Sequence, residues 1–268
     1  MVTLVVITIV IAFLFDFLNG MNDAANSIAT VVSTKVLSPF KAVLFAAFFN
    51  FAAAFVFGVH VANTIGKGII DPDIVDVYLI LSSLIGSVIW TYLCTHYGLP
   101  ISVSHALIGG MLGPALLKGG TGVVIGSGLM KVLIFIVLSP LIGMLLGYTI
   151  MIIVLNLFKN VMPAKVENKF KVLQLVSSGF FSLSHGSNDA QKTMGIVSVL
   201  LYSYYRSKGL DVEFEVPHWV IYTSYTVIAF GTLFGGWRVI KRLGVGLTDL
   251  KPVGGFCAET GGALTIIM

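Results

Sequence analysis

The chain has 268 residues, of which 57% are hydrophobic and only 10% are charged, against roughly 25% charged residues in soluble domains. A soluble core is thereby excluded. The formal net charge of +4 is small for the length and lies in short connecting segments, which suits membrane topology control and argues against nucleic-acid binding.

Apolar runs of membrane-spanning length, roughly 17 to 25 residues, place candidate helices at 2–36, 40–62, 77–96, 99–117, 130–157, 172–203, 217–238 and 254 to the end. None shows the alternation of a lipid-facing barrel, so the fold class is all-α integral membrane. Segment 2–18 lacks a basic leader and a small-residue cleavage site, and is read as a retained span. Residues 2–36 as one helix would measure about 52 Å at ~1.5 Å per residue, too long for one crossing. A break is therefore expected in the polar run from Asn19 to Asn26. Gly98-Leu99-Pro100 marks a second interruption, with proline in the first turn of the helix that follows. Cys94 and Cys257 lie in apolar stretches without metal-ligand spacing and are read as packing residues.

Asn19-Gly20-Met21-Asn22-Asp23-Ala24 is echoed 166 positions later by His185-Gly186-Ser187-Asn188-Asp189-Ala190. Gly58, Val61, Gly66, Gly68 and Asp71 then match Gly236, Val239, Gly244, Gly246 and Asp249 at an offset of 178. The chain thus reads as two copies of one unit: a first transmembrane repeat over 1–158, a cytoplasmic linker over 159–171 and a second repeat over 172–268. Lys159, Lys165, Lys169 and Lys171, and later Arg238, Lys241, Arg242 and Lys251, mark cytoplasmic loops. The first-copy equivalent of the latter loop carries Lys67 with Asp71, Asp73 and Asp76, and reads as external. Equivalent loops on opposite faces imply an inverted repeat with discontinuous or re-entrant helices, the plan of many secondary transporters, and an external N-terminus.

Asp16, Asp23, Asp189 and Glu259 fall within apolar stretches, where an ionisable group is costly and points to function with a cation or partner nearby. Helix capping accounts for one carboxylate at a helix start, but not for two repeat-related ones in a membrane. Asp16 stays open between a helix-packing hydrogen bond and a site role. Ser102, Ser104 and His105 sit where a helix N-terminus would present free N–H groups to an oxyanion, and Lys192 follows Asp189 by three positions. His105 and His185 are equally readable as ligands or as satisfied structural residues. A carboxylate ~5 Å from an anion would repel it by about 3 kcal/mol at an effective dielectric of 20. Binding Na⁺ or H⁺ at the aspartates removes that penalty and links the two affinities reciprocally. An intramembrane hydrolase using Ser102 or Ser104 with His105 is a weaker alternative, because no third orienting group is apparent.

The runs Gly20–Asn26, Gly98–Gly110, Ser184–Gly195, Gly231–Arg238 and Ala258-Glu259-Thr260 resemble the inorganic phosphate transporter family over essentially the whole chain. That resemblance implies a multi-pass cell-membrane carrier of inorganic phosphate coupled to Na⁺ or H⁺, with no organic cofactor and no nucleic-acid partner. Sulfate is the runner-up oxyanion. The implied surroundings of substrate and ions are Asn22, Asn26, Ser102, Ser104, His105, Asn188 and Lys192, with Asp23, Asp189 and Glu259 on the cation. Two departures stand out. Ile101 and Val103 interrupt the family's hydroxyl run, and the partner of the Pro100 loop would fall near position 276. The sequence therefore reads as C-terminally incomplete, or as one that completes its second loop through another subunit, as in a homo-oligomer.

Overall fold

In a computed structural model, residues 1–59, 62, 68–244 and 250–267 are described. Helices make up most of the described residues, with one isolated bridge between Ile70 and Val124 and no strand among them. Its helices are α1 (Val2–Ser33), α2 (Pro39–Ala52), α3 (Val77–Tyr97), α4 (Val103–Gly119), α5 (Gly126–Phe158), α6 (Pro163–Ser207), α7 (His218–Phe234), α8 (Trp237–Gly244) and α9 (Pro252–Ile267). Among the described residues, α1, α3 and α5 are each long and apolar enough to cross a membrane. Val61, Gly66, Lys67, Gly246 and Asp249, used above for the repeat and the loop charges, lie outside the described residues.

The expected break at Asn19 to Asn26 is absent, because α1 is helical without interruption for 32 residues. Asn22 and Asn26 find side-chain partners instead: Asn22 donates across the bundle to Thr95 Oγ1 at 2.9 Å, and Asn26 donates along its own helix to Asp23 at 3.0 Å. None of these contacts draws on the backbone, which keeps its own ladder. A helix longer than one crossing can be accommodated in a bilayer by tilting. Likewise Asp189 lies in the middle of α6, which starts at Pro163, so residues 163–171 are the first helical turns and not a loop. At 45 residues α6 measures about 68 Å, and its exposed lysines at 165, 169 and 171 sit on the end that outruns the apolar core.

The interruption at 98–102 is real. Gly98 closes α3 in a left-handed conformation (φ 67°), Leu99 N–H reaches back to Cys94 O at 2.8 Å, and Ser102 caps α4. Pro100 precedes the helix rather than entering its first turn. The resulting α3–α4 hairpin is pinned at its open end by Lys118 on Asp76, 2.7 Å. Burial pushes the Asp76 carboxyl up, but the Lys118 ammonium and the Leu79 N–H outweigh it and hold the group below the usual carboxylate range.

α1 and α6 cross antiparallel. Thr34 meets Gln174, Thr30 meets the Glu259 carboxylate that also takes Ser177, and Asp23 meets His185 and Asp189. The crossing therefore falls where the two copies of the motif coincide. Close packing repeats the same relation. A Cβ on Gly20 would come within 2.2 Å of Ile228 O on α7, and one on Gly186 within 2.8 Å of Asn50 Cα on α2. Gly20 and Gly186 are 166 apart, and Asn50 and Ile228 are 178 apart, the two offsets that relate the copies in sequence. Equivalent helices that cross antiparallel at equivalent residues define a two-fold axis perpendicular to them, the inverted-repeat arrangement.

α5 stands at one side, held to α9 where Gly261 meets Gly147. It presents Leu133, Phe135, Val137, Leu141, Leu145 and Tyr148 outward, a surface that suits hydrocarbon. Small residues at such crossings let backbones approach, which is the main source of helix association in lipid. Gly231→Ala, whose Cβ would lie 2.1 Å from Phe17 O, is expected to destabilise the detergent-solubilised protein by about 1–3 kcal/mol. Gly113→Ala, with open space around its Cβ, is expected to leave the thermal midpoint within a degree or two; differential scanning fluorimetry compares them.

Candidate functional site

The crossing of α1 and α6 brings Asp23, His185 and Asp189 together, with their ligating atoms all within 4.8 Å of one another. His185 and Asp189 stand four apart on one helical face, so that Nδ1 reaches Oδ2 at 2.9 Å. Lys192, three positions on, reaches the other oxygen, Oδ1, at 2.5 Å. Asp189 is thus clamped from both sides, with 6% of its side chain exposed, while Asn26 orients Asp23 from one turn away. Asn50, tied to Thr232 Oγ1 at 2.9 Å, keeps an unpartnered carbonyl oxygen and lines the small cavity at the cluster with Gly20 and Ser27.

Lys192 also bridges the halves. Its ammonium donates to Ser104 Oγ at 2.5 Å, in the first turn of α4, where backbone N–H groups have no helical acceptor. A cationic head, a hydroxyl and a helix N-terminus meet there, and two carboxylates and an imidazole lie immediately behind. Such an arrangement can hold a tetrahedral oxyanion and a small cation side by side.

The other residues singled out from sequence are more dispersed. Ser102 caps α4 by accepting the His105 N–H at 3.4 Å, and both are exposed, facing a cavity of about 510 Å³ beside Trp90 and Gly86. Asn22 is buried on Thr95 of α3, and Asn188 is half-buried beside Asp189. Glu259 lies apart from the cluster, seven residues further along α1, where Thr30 Oγ1 and Ser177 Oγ each donate to it at 2.5 Å and Gln174 at 3.3 Å. His185 joins the cluster although the sequence left it undecided. Its signal was the four-residue spacing to Asp189. The partners of Glu259 had no signal in sequence, being 82 to 229 positions away.

An all-helical bundle with membrane-length apolar helices and ionisable groups gathered at the crossing of two repeat-related helices is the build of a membrane transporter. A profile of the phosphate transporter family matches residues 19–268, and the chain belongs to that family; it is a transporter and not an enzyme. It is 52% identical over 258 residues to a probable low-affinity inorganic phosphate transporter of Rhizobium meliloti (strain 1021), covering 96% of this chain and 76% of that protein. It is 37% identical to the protein of the same description in Bacillus subtilis (strain 168), covering 98% and 78%. A solved structure, the sodium-dependent phosphate transporter, superposes with a TM-score of 0.84 at 26% identity, over 99% of this chain and 84% of that one.

The clamp on Asp189 is expected to couple strongly. Lys192→Met should destabilise the protein by about 3–5 kcal/mol, because it strips one side of a buried carboxylate. The double variant with Asp189→Asn should fall short of the sum of the singles by about 0.5–3 kcal/mol in a denaturant cycle.

Proposed function

We propose that the protein is a secondary active transporter that carries inorganic phosphate across the cell membrane with Na⁺ as the coupling ion. The observation that carries this reading is the junction of opposite charges: Asp23, His185 and Asp189 on one side of Lys192, and Ser104 with the α4 N-terminus on the other. Phosphate would meet Lys192 and Ser104, flanked by Ser102, Asn22, Asn26 and Asn188. His105 would have to turn from its exposed position to take part. Sodium would meet Asp23 and Asp189, with Glu259 as a separate acid whose hydroxyl and amide neighbours could equally ligate an ion.

Coupling follows from electrostatics. A cation at the aspartates offsets the repulsion, about 3 kcal/mol, that each carboxylate would exert on an anion ~5 Å away. Each ligand then raises the affinity for the other by the same factor. The similarity to the sodium-dependent phosphate transporter favours Na⁺ over H⁺. Repeats over 1–158 and 172–268, joined through 159–171 on the cytoplasmic side with the N-terminus outside, would let the halves rock about the shared site.

Radiolabelled phosphate uptake into proteoliposomes tests this under separate Na⁺ and pH gradients, with sulfate as competitor. Wild type is expected to accumulate phosphate under an inward Na⁺ gradient and to be little affected by sulfate. Asp23→Asn and Asp189→Asn are each expected to reduce gradient-driven uptake by tenfold or more, about 1.4 kcal/mol of coupling. Undiminished uptake in both variants would overturn the assignment of the aspartates, and accumulation driven by a pH gradient alone would replace Na⁺ with H⁺.

A further inference from the structure

A second acid lies on α1 and has no place in the cluster described above. Asp16 is 0% exposed, and neither carboxylate oxygen has a hydrogen-bond partner among the described residues. The nearest ammonium on α6, Lys192, is already engaged by Asp189 and Ser104. An ionised carboxylate left this way costs far more than helix packing returns. Leucine would fill the position without that cost, and helix packing offers the carboxylate no more than the Thr193 hydroxyl.

Its surroundings are unpartnered in the same way. Asn19, one turn on, is 1% exposed and leaves both amide atoms without a partner. The Thr193 hydroxyl on α6, 0% exposed, faces the Asp16 carboxylate and has no other partner among the described residues. Ser224 on α7 is also 0% exposed and unpartnered. It lies one turn before Ile228, the residue against which Gly20 packs, as Asp16 lies one turn before Gly20. Since α1 and α7 run in the same direction, with Phe13 at Trp219, Gly20 at Ile228 and Met21 at Gly236, Ser224 falls level with Asp16.

We propose that Asp16, Asn19, Thr193 and Ser224 form a second monovalent cation site, with Na⁺ as its ligand, seven residues and about 10 Å along α1 from Asp23. The donor set is all oxygen and carries one negative charge, which suits a hard monovalent ion and leaves a divalent one half neutralised. A proton would satisfy one carboxylate oxygen only, leaving Asn19 and Ser224 orphaned, whereas a coordinated ion engages several oxygens at once. The inference rests on the reading of the chain as an ion-coupled carrier, but not on its substrate.

The test is ²²Na⁺ binding to the purified full chain in phosphate-free choline buffer, for wild type, Asp16→Asn, Thr193→Val and Asp23→Asn. Asp16→Asn is expected to lower the Na⁺ stoichiometry by one while Asp23→Asn removes a different ion. Thr193→Val keeps volume and charge, and is expected to weaken one class of Na⁺ about tenfold, the effect of a lost oxygen ligand. Wild-type stoichiometry and affinity in both Asp16→Asn and Thr193→Val would overturn the site, as would loss of all Na⁺ binding in Asp23→Asn alone or no Na⁺ binding by wild type. Phosphate uptake is read separately, so a protein that binds two ions but carries no phosphate would sink the substrate reading and leave this one standing.

Discussion

An ionised carboxylate inside a bundle sheathed in lipid must be paired, and the way Asp189 is paired organises the rest of the molecule. His185 approaches from the preceding turn and Lys192 from the following one, so the clamp requires continuous helix from 185 to 192. Asp23 can then join only if α1 crosses α6 at that level. The crossing is held by backbone contact at Gly20 on α7 and Gly186 on α2, positions where a side chain would force the helices apart. Packing, polarity and symmetry are thus settled at one place.

Lys192 is the hinge of the electrostatics. It neutralises Asp189 from within α6, and its remaining reach goes to Ser104 at the start of α4. An anion bound there, as proposed, would meet a lysine already half-compensated, so its affinity would depend on what charge the aspartates carry. A cation bound among Asp23, His185 and Asp189 would free the ammonium to favour the anion. Rigid pairing of opposite charges inside a low-dielectric core would in this way couple the two proposed binding events.

Much of this was legible in sequence. Composition and run length gave the class and nearly every helix, because the constraint that backbone groups be satisfied in lipid leaves few alternatives. The Asn-Asp echo located the crossing, since a polar pair repeated within apolar text has no cheaper explanation than a shared site. What failed was the local inference from polarity to a broken helix at Asn19 to Asn26: Asn22 is satisfied laterally by Thr95 and Asn26 along its own helix by Asp23, so the backbone never had to open. The lateral partners of Glu259 and the outward turn of His105 were also invisible, because each depends on which face of a helix meets which neighbour across most of the chain.

The continuity of α1 changes how the acids relate to one another. A broken helix would isolate Asp23 at a half-helix end, but an intact one sets three acidic levels on a common ruler: Asp16 toward the N-terminus, Asp23 with Asp189 at the crossing, and Glu259 at Thr30 beyond it. Successive levels are seven residues apart, two turns and about 10 Å, and so they fall on nearly the same face. At that spacing the Coulomb coupling between unit charges is about 1.7 kcal/mol at an effective dielectric of 20, enough to order occupancy and too little to forbid it. On the reading proposed above, an unbroken helix carrying acids at this interval would give a cation successive resting places along the protein interior, which a helix unwound at the motif could not keep in register.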